Sequence, residues 1–564
     1  MNGFVTYPRE QIMVVRRRTF ERTKFDGNSL IEKEIVIAGA GLVGLVLALD
    51  LARRGVRTLV IDQDDKVSDG SRAIVFAKRS LEILGRLGLG EQLLEKGISW
   101  HLGKVLHGDR QLFEFNYLPE PGHQYPAFIN LQQYYLEEWL IEACLESGLV
   151  EFRWGHRVAG VQREPRRAIV DVATDQGGYQ IHCDWLVACD GVRSFVRQAL
   201  QLPFEGRTFN DRFLIADVRM PAALPAERRF WFSPSFHEGQ SVLIHKQPDD
   251  VWRVDFQLGP DADPVLEREP ERVAARLRRM FGDGIDFKLE WVSVYTFRCR
   301  RLARFVHGPV VFAGDSAHEV SPFGGRGGNG GIQDADNLGW KLAEIIAGRA
   351  GPALLDSYGE ERGLAADENI LNSSRSADFI TPRSERARLL KEAVLRLSAE
   401  HEAIRPMVNS GRLSRPASLA GCCLLQPAGH REGPGPGDAA LDAPVLLAGQ
   451  PAWLLERIGN RFTLLYFVDG ESDVDAAWHF CRLHGAALLT VGRSGSEGGD
   501  GRIHVVDDAG LAHERYRAAQ RRVYLIRPDQ HICYAADLLD TVELAAALRL
   551  ALGHSVSSTF ERRA

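Results

Sequence analysis

Gly39, Gly41 and Gly44 stand in the spacing G-x-G-x-x-G inside Ile35 to Leu51, a stretch that reads as strand, tight turn and helix. In that setting Gly39 permits the turn, Gly41 lets a pyrophosphate approach the backbone, and Gly44 lets helix and strand pack closely. The phosphates would meet free N–H groups at the helix N-terminus. Asp62 ends the next strand, at about the distance expected of an acid that binds ribose hydroxyls. This spacing does not choose between a nicotinamide and a flavin dinucleotide, and a glycine turn without a ligand is the bland alternative.

A second stretch, Val310 to Leu342, carries a buried strand ending at Gly314-Asp315 and a run of glycines from Gly324 to Gly331. A carboxylate there suits the hydroxyls of a sugar-like chain. The glycines, ahead of a helix expected to begin near Gly330, would present backbone N–H groups to an anionic or carbonyl edge, as on a reduced flat ring. The plainer alternative is a loop with an N-capping aspartate. Between the two stretches, Leu186 to Ser194 is a third strand ending in an acid, Asp190-Gly191, followed by Arg193 and Arg197. One such turn suggests any dinucleotide; two suggest a long, extended one gripped at both ends.

The elements that must position these residues can be read coarsely. Strand Glu34–Ala38, helix Leu42–Arg54 and strand Thr58–Asp62 form a βαβ unit, and apolar residues recur at helical spacing over Lys78–Leu94 and Tyr134–Leu145. Ala168–Thr174 and Gln180–Leu186 read as strands. From Pro203 to Cys299 the chain is rich in strand formers and aromatics, which predicts an antiparallel sheet inserted between the glycine motifs. Helical spacing returns at Ile332–Gly348, a Pro/Gly-rich passage crosses Gln426–Gly437, and strands and helices alternate thereafter.

Composition narrows the classes. With 69 basic and 75 acidic residues and a net charge of −6, nothing advertises nucleic-acid binding. The eight cysteines are scattered, with no CxxC and no zinc spacing, which predicts reduced thiols, no metal and a cytoplasmic protein. The arginines at Arg16–Arg18 precede charge instead of an apolar run, and Ile35–Leu49 is short of a membrane span, so no membrane association is expected.

The order GxGxxG, DG, GD resembles that of the FAD-dependent aromatic monooxygenases of the p-hydroxybenzoate hydroxylase class. The likeness spans about residues 34–400 and rests on GAGLVG at 39–44, CDGVRSFVR at 189–197 and AGDSAHEVSPFGGRGGNGGIQDADNLGWKL at 313–342. About 437–555 resembles the thioredoxin-like domain of the phenol-hydroxylase branch through VYLIRPD at 523–529, without a CxxC, so thiol redox chemistry is not expected of Cys481 or Cys533. The middle of the chain looks most like enzymes described as 3-(3-hydroxyphenyl)propionate hydroxylase-like. The resemblance implies an α/β fold: a Rossmann-like FAD-binding domain, an inserted β-sheet substrate domain and a C-terminal thioredoxin-like α/β domain. The implied boundaries are an arm at 1–33, the FAD-binding domain at 34–202 and 300–400 with substrate-domain pieces near 98–130, the substrate sheet at 203–299, a linker at 401–436 and the last domain at 437–564.

Carried over by position, Asp62 should take the adenosine ribose, Arg72 the FAD ribose and phosphates, and Gln133 the flavin. Asp315 should bind the ribityl chain. Gly325, Gly327, Gly328 and Asn329 should follow the pyrimidine edge, with Pro322 by the reacting face. Asp190 belongs to the motif linked to both FAD and NAD(P)H handling. Many members have glutamine where this chain has Arg326, which is expected to point to solvent rather than to the flavin edge or an acidic substrate.

The implied reaction takes hydride from NADH or NADPH onto FAD. A flavin C4a-hydroperoxide, formed with O2, then hydroxylates a phenolic or other electron-rich aromatic, while the protein excludes water and orients the ring. A base favouring the phenolate would help, because phenol titrates near about 10. His245, Tyr125, His237 and Gln257 are candidates, each more often structural, and His318 is as suited to packing. Trp231, Phe232, Phe236 and Trp252 line a pocket or fill a core. Baeyer–Villiger oxidation or epoxidation on the same fold is the alternative. An NAD-dependent dehydrogenase and a flavin-binding protein without turnover are remoter ones, and a homo-oligomer stays open.

Overall fold

The computed structural model describes residues 18–554 apart from 25–26, 28–29, 71, 223, 323, 352, 410–414, 427–431, 469–471, 495–501 and 519–520. Strands buried on both faces need unbroken apolar runs, and Ile35–Ala38, Leu59–Ile61 and Leu186–Ala188 supply them. They lie side by side in an eight-stranded sheet whose order is Val306–His307, Val310–Phe312, Gly177–Ala188, Leu30–Ala38, Thr58–Asp62 and Val150–Trp154. Strands Arg157–Arg163 and Ala168–Thr174 extend it antiparallel from Gly177–Ala188. From Val310–Phe312 to Val150–Trp154 the strands are parallel, so Ala38, Asp62, Ala188 and Phe312 end at one edge. Ligands of open parallel sheets bind beyond such carboxyl ends, and all three acidic motifs sit there.

Two helices cover the strands by that edge. Leu42–Arg53 buries ten of its twelve residues. Arg326–Ile346 crosses it so closely that a Cβ at Gly331 would overlap Val43 and one at Gly339 would overlap Asp50. This second helix begins at Arg326, four residues before the expected start near Gly330. Glycine is a poor helix former, yet here its lack of a side chain lets the two helices touch. The first strand likewise begins at Leu30, paired with Gln180, so residues 30–33 belong to the sheet and not to an arm. Residues 1–17 of the expected arm lie outside the described residues.

A second eight-stranded sheet runs His318–Glu319, Lys288–Arg301, Glu205–Arg219, Val251–Leu258, Ser241–Lys246, Arg228–Phe232, Leu102–His107 and Arg110–Asn116. Its outer face packs on the amphipathic helix Pro270–Phe281 through Trp252, Val254, Phe256 and Leu277. Its inner face carries Phe213, Phe230, Phe232 and Leu243 against Ala377 and Ile380 of helix Ala353–Ile380.

The chain from Ala440 onward builds a seven-stranded sheet centred on Ala487–Gly492, Thr463–Phe467 and Arg522–Ile526. Leu419, Cys422, Leu424 and Leu425, within the segment expected to be a linker, are buried with Phe462, Leu464 and Leu525 in its core, alongside Trp340 and Leu354. That segment is packed rather than a free tether, although 410–414 and 427–431 lie outside the described residues. Among the described residues no helix is long and apolar enough to cross a membrane.

Candidate functional site

The three glycines of the first motif differ in what surrounds them. Gly39 adopts φ +107°, and a Cβ there would lie 2.5 Å from the Cys189 carbonyl oxygen. A Cβ on Gly44 would overlap the Gly39 carbonyl oxygen. One on Gly41 would meet nothing within 4 Å. Gly39 and Gly44 therefore serve packing, whereas Gly41 faces open space at a helix start that no side chain caps. Asp62 faces the same turn: its Oδ2 accepts from the Ala40 N–H at 2.6 Å and its Oδ1 from the Asp64 N–H at 2.8 Å. Burial pushes the Asp62 pKa up, and those two amides oppose the rise.

Asp190 follows the neighbouring strand. Its Oδ2 accepts from the Val196 N–H at 3.0 Å, while its buried Oδ1 has no partner among the described residues. Arg197 donates to the carbonyls of Ser316 at 2.9 Å and Val192 at 2.6 Å, so it ties the second acidic turn to the third.

At the third turn, the Gly314 N–H donates to Asp334 at 3.0 Å, His318 Nε2 lies 2.6 Å from the same oxygen, and Arg362 donates to the other at 2.7 Å. Burial opposes ionisation of Asp334, but His318 and Arg362 hold its pKa far below the carboxylate range. His318 is thereby spent on locking the loop, its ring stacked on Phe305. Asp315 differs: it is exposed to the cleft and takes no hydrogen bond among the described residues. The surrounding protein pushes its pKa up, with His318 and Arg72 pulling the other way. An exposed carboxylate after Val310–Phe312 and an open glycine turn after Leu30–Ala38, two strands apart on one edge, fit a dinucleotide with a sugar chain between.

Asn329 and Gln133 brace the cleft through their side chains. Asn329 accepts from the Ala77 N–H at 2.9 Å and donates to the carbonyls of Val75 at 2.8 Å and Gly325 at 2.5 Å. Gln133 accepts from the Ala73 N–H at 2.9 Å and donates to Glu137 at 2.7 Å, fixing the segment that carries the exposed Arg72. Gly325, Gly327 and Gly328 pass close to this region, a Cβ at Gly328 falling 3.0 Å from Ala73. Replacing Asn329 by alanine orphans a buried amide and two carbonyls. We expect about 2 kcal/mol of lost stability from those unmade bonds, read by thermal denaturation of FAD-free protein. A midpoint matching wild type would refute the bracing role.

Beside the glycine loop opens a pocket walled by Arg228, Phe230, Phe232, Phe379, Gly324 and Arg326. Arg326 is half-buried and donates to Asn369 at 3.2 Å, so it lines the pocket instead of pointing to solvent. Pro322 is exposed, its carbonyl accepting from the Gly325 N–H at 2.9 Å.

The expected bases fare differently. Tyr125 lies away from this pocket, its hydroxyl against Gly85 and Gly90, and burial beside Glu456, Glu82 and Asp442 pushes its pKa up to about 12. It is a packing residue. His245 is buried near Trp100, and burial with Arg228 and Arg253 holds its pKa well below that of a free imidazole. His237 and Gln257 hold the sheet together: His237 Nε2, from the short turn Ser235–His237, lies 2.7 Å from the Gln257 carbonyl, and the Gln257 side chain accepts from the Ser241 N–H at 2.9 Å. Trp231 and Trp252 are core under helix Pro270–Phe281, where Phe236 packs against them; Phe232 faces the pocket. Arg228, also on the pocket wall, is not marked by any motif, although strand alternation from Phe230 reaches it.

The chain matches the family described as FAD binding domain over residues 32–373. It belongs to that family. The 12-dehydrotetracycline 5-monooxygenase/anhydrotetracycline 6-monooxygenase of Streptomyces rimosus subsp. rimosus is 31% identical over 550 residues, covering 92% of this chain and 99% of that protein. The 3-(3-hydroxy-phenyl)propionate/3-hydroxycinnamic acid hydroxylase of Mycolicibacterium smegmatis is 29% identical over 363 residues, 64% of each. Among solved structures, the flavin-dependent monooxygenase PieE in complex with FAD and substrate superposes with a TM-score of 0.77 at 22% identity, covering 92% of this chain and 98% of that one. The protein is a flavin monooxygenase with a Rossmann-like FAD-binding domain.

Proposed function

We propose that this flavin monooxygenase hydroxylates a phenolic polycyclic aromatic, using NADH or NADPH and O2. The observation that carries the reading is the aromatic pocket opening on the start of helix Arg326–Ile346, whose first N–H groups have no side-chain cap. Phe230, Phe232 and Phe379 suit it to an aromatic ligand, and the tetracycline monooxygenase likeness covers 92% of the chain. Gly41 and Asp62 would hold the adenosine half of FAD, Arg72 the phosphates, and Asp315 the ribityl hydroxyls. The amides of Gly327, Gly328 and Asn329 would face the flavin's polar edge. Bound flavin supplies hydride acceptance and oxygen activation. The chain's own part is to orient the ring between Phe230, Phe232 and Phe379 and to exclude water. Pro322 and Asp190 would border the reacting face and the nicotinamide approach. The eight unbridged cysteines suit a reducing compartment such as the cytoplasm.

The test uses the FAD-loaded protein with anhydrotetracycline and 3-(3-hydroxyphenyl)propionate under air. We expect substrate-stimulated oxidation of NADH or NADPH and a product heavier by one oxygen, found by mass spectrometry, with the tetracycline favoured at least about tenfold in kcat/KM, or 1.4 kcal/mol. Hydrogen peroxide as the sole product from both compounds would refute the substrate class. A protein that retains no FAD would refute the reading as a whole.

A further inference from the structure

Helix Leu42–Arg53 starts at the dinucleotide turn and ends, about 18 Å away by helix rise, in a basic pocket. That pocket is lined by Asp50, Arg53, Arg54, Arg86, Gly88 and Asn460. Three separate segments meet there. The helix end supplies Arg53 and Arg54, the turn Gly85–Leu89 supplies Arg86, and the loop ahead of strand Thr463–Phe467 supplies Asn460. The pocket therefore lies on the seam between the FAD-binding body and the C-terminal sheet, away from the glycine turns.

Its charges are unevenly matched. Arg54 is engaged: its Nε and Nη2 donate to the two oxygens of buried Asp50 at 2.9 and 3.0 Å. Asp50 is also the one carboxylate among the described residues of the lining. Arg86 has a side chain only 7% exposed, and it lies against Gly459, where a Cβ would come within 2.5 Å of its Cδ. One terminal nitrogen of Arg86 donates to Asp336, which also faces Arg79. The other, Nη1, is buried with no hydrogen-bond partner among the described residues. Arg53 is exposed and donates from Nη2 to the Leu87 carbonyl at 3.2 Å, with no carboxylate within ion-pair distance among the described residues. A buried N–H without an acceptor is costly, and adjacent guanidinium groups repel. Both penalties are relieved by an oxyanion.

We propose that this pocket binds a phosphate group, held by Nη1 of Arg86 and the guanidinium of Arg53, at a site separate from those of FAD and substrate. The lining sets Arg53, Arg54 and Arg86 against Asp50 alone, a surplus that a phosphate dianion matches. The planar fork of a guanidinium fits two phosphate oxygens at once. Arg54 also reaches the Asn460 carbonyl at 3.5 Å, so an occupant beside it bridges the helix end, the turn and the C-terminal sheet. Free phosphate and a phosphate monoester share this recognition.

The experiment titrates FAD-loaded protein with inorganic phosphate and, separately, with adenosine 5′-monophosphate, by calorimetry at constant ionic strength. Inorganic phosphate should saturate one site per chain with a Kd below about 1 mM. Arg53→Gln, at an exposed position, should fold and hold FAD as wild type does and weaken that binding at least about tenfold. Arg57→Gln removes an exposed arginine outside the pocket and should leave the Kd within about twofold. Nucleotide binding tighter than phosphate, and weakened by Arg53→Gln, would support the site and identify a monoester as its ligand. Phosphate binding alone would support it with the free ion. No saturable binding of either compound up to about 20 mM would overturn the proposal. So would Arg53→Gln binding phosphate as tightly as wild type, or equal losses in Arg53→Gln and Arg57→Gln.

Discussion

The Gly41→Val protein should fold as wild type does and fail to hold FAD. Gly41 has φ −81° and ψ 178°, extended geometry that a β-branched residue adopts readily. The added side chain would project into open space, where a Cβ meets nothing within 4 Å. Stability of the flavin-free protein should change by no more than about 0.5 kcal/mol, as for an exposed site. The FAD dissociation constant should rise at least about 100-fold, or 2.7 kcal/mol, because the branched side chain takes the space of the pyrophosphate. Flavin absorbance after desalting and equilibrium dialysis report the second effect, thermal denaturation the first. Gly39→Val supplies the contrast: at φ +107°, with Cys189 2.5 Å from its Cβ, it should lose fold and flavin together. Wild-type FAD retention by Gly41→Val would remove this turn from the cofactor site.

What the sequence made legible were features fixed by neighbours along the chain. Asp62, Asp190 and Asp315 each follow an apolar run, and a strand end is readable from such a run. Their convergence on one edge follows from parallel pairing. The start of helix Arg326–Ile346 was misplaced because helix propensity argues against its glycines, while the contact that demands them comes from Val43, almost 300 residues away. The roles of His318 and Tyr125 were hidden for the same reason. One is occupied by Asp334 and the other by Gly85 and Gly90, and spacing shows neither contact. A stricter use of alternation would have helped elsewhere. Trp231 and Phe232 are consecutive in a strand and point to opposite faces, so one pocket cannot hold both. Which face is inner depends on helix Pro270–Phe281 covering the tryptophan side, and that is tertiary information. Arg228 carries no mark in the sequence because a basic residue in a strand is unremarkable until the pocket beside it is known.

The largest stability effect is expected at Arg527, far from the pocket in sequence and bound to its scaffold in space. Its buried guanidinium donates to both oxygens of Glu361, at 2.6 and 2.9 Å, and to Asp529 at 3.0 and 2.6 Å. Lys341 joins Glu361 at 2.9 Å, and Asn337 donates to both carboxylates. The C-terminal sheet is thus wired to helix Arg326–Ile346 and to Glu361, whose neighbour Arg362 holds Asp334 and the loop of Asp315. Arg527→Met would leave two buried carboxylates facing one lysine, at a cost of about 3–5 kcal/mol. The double variant Arg527→Met/Asp529→Leu should recover part of that loss, since it deletes one stranded carboxylate and leaves Glu361 paired with Lys341. The pH dependence has a definite sign. Burial opposes ionisation of Glu361, but Arg527 and Lys341 pull its pKa down to about 2, below the usual glutamate value of about 4.3. Its contribution to stability is therefore complete above pH 4.3 and is lost as pH falls toward 2. Without Arg527 the folded-state pKa rises, so acid unfolding should begin at higher pH. Circular dichroism between pH 2 and 6 would show that shift. Coincident acid limbs for wild type and Arg527→Met would mean that the network does not carry the attachment of the C-terminal sheet.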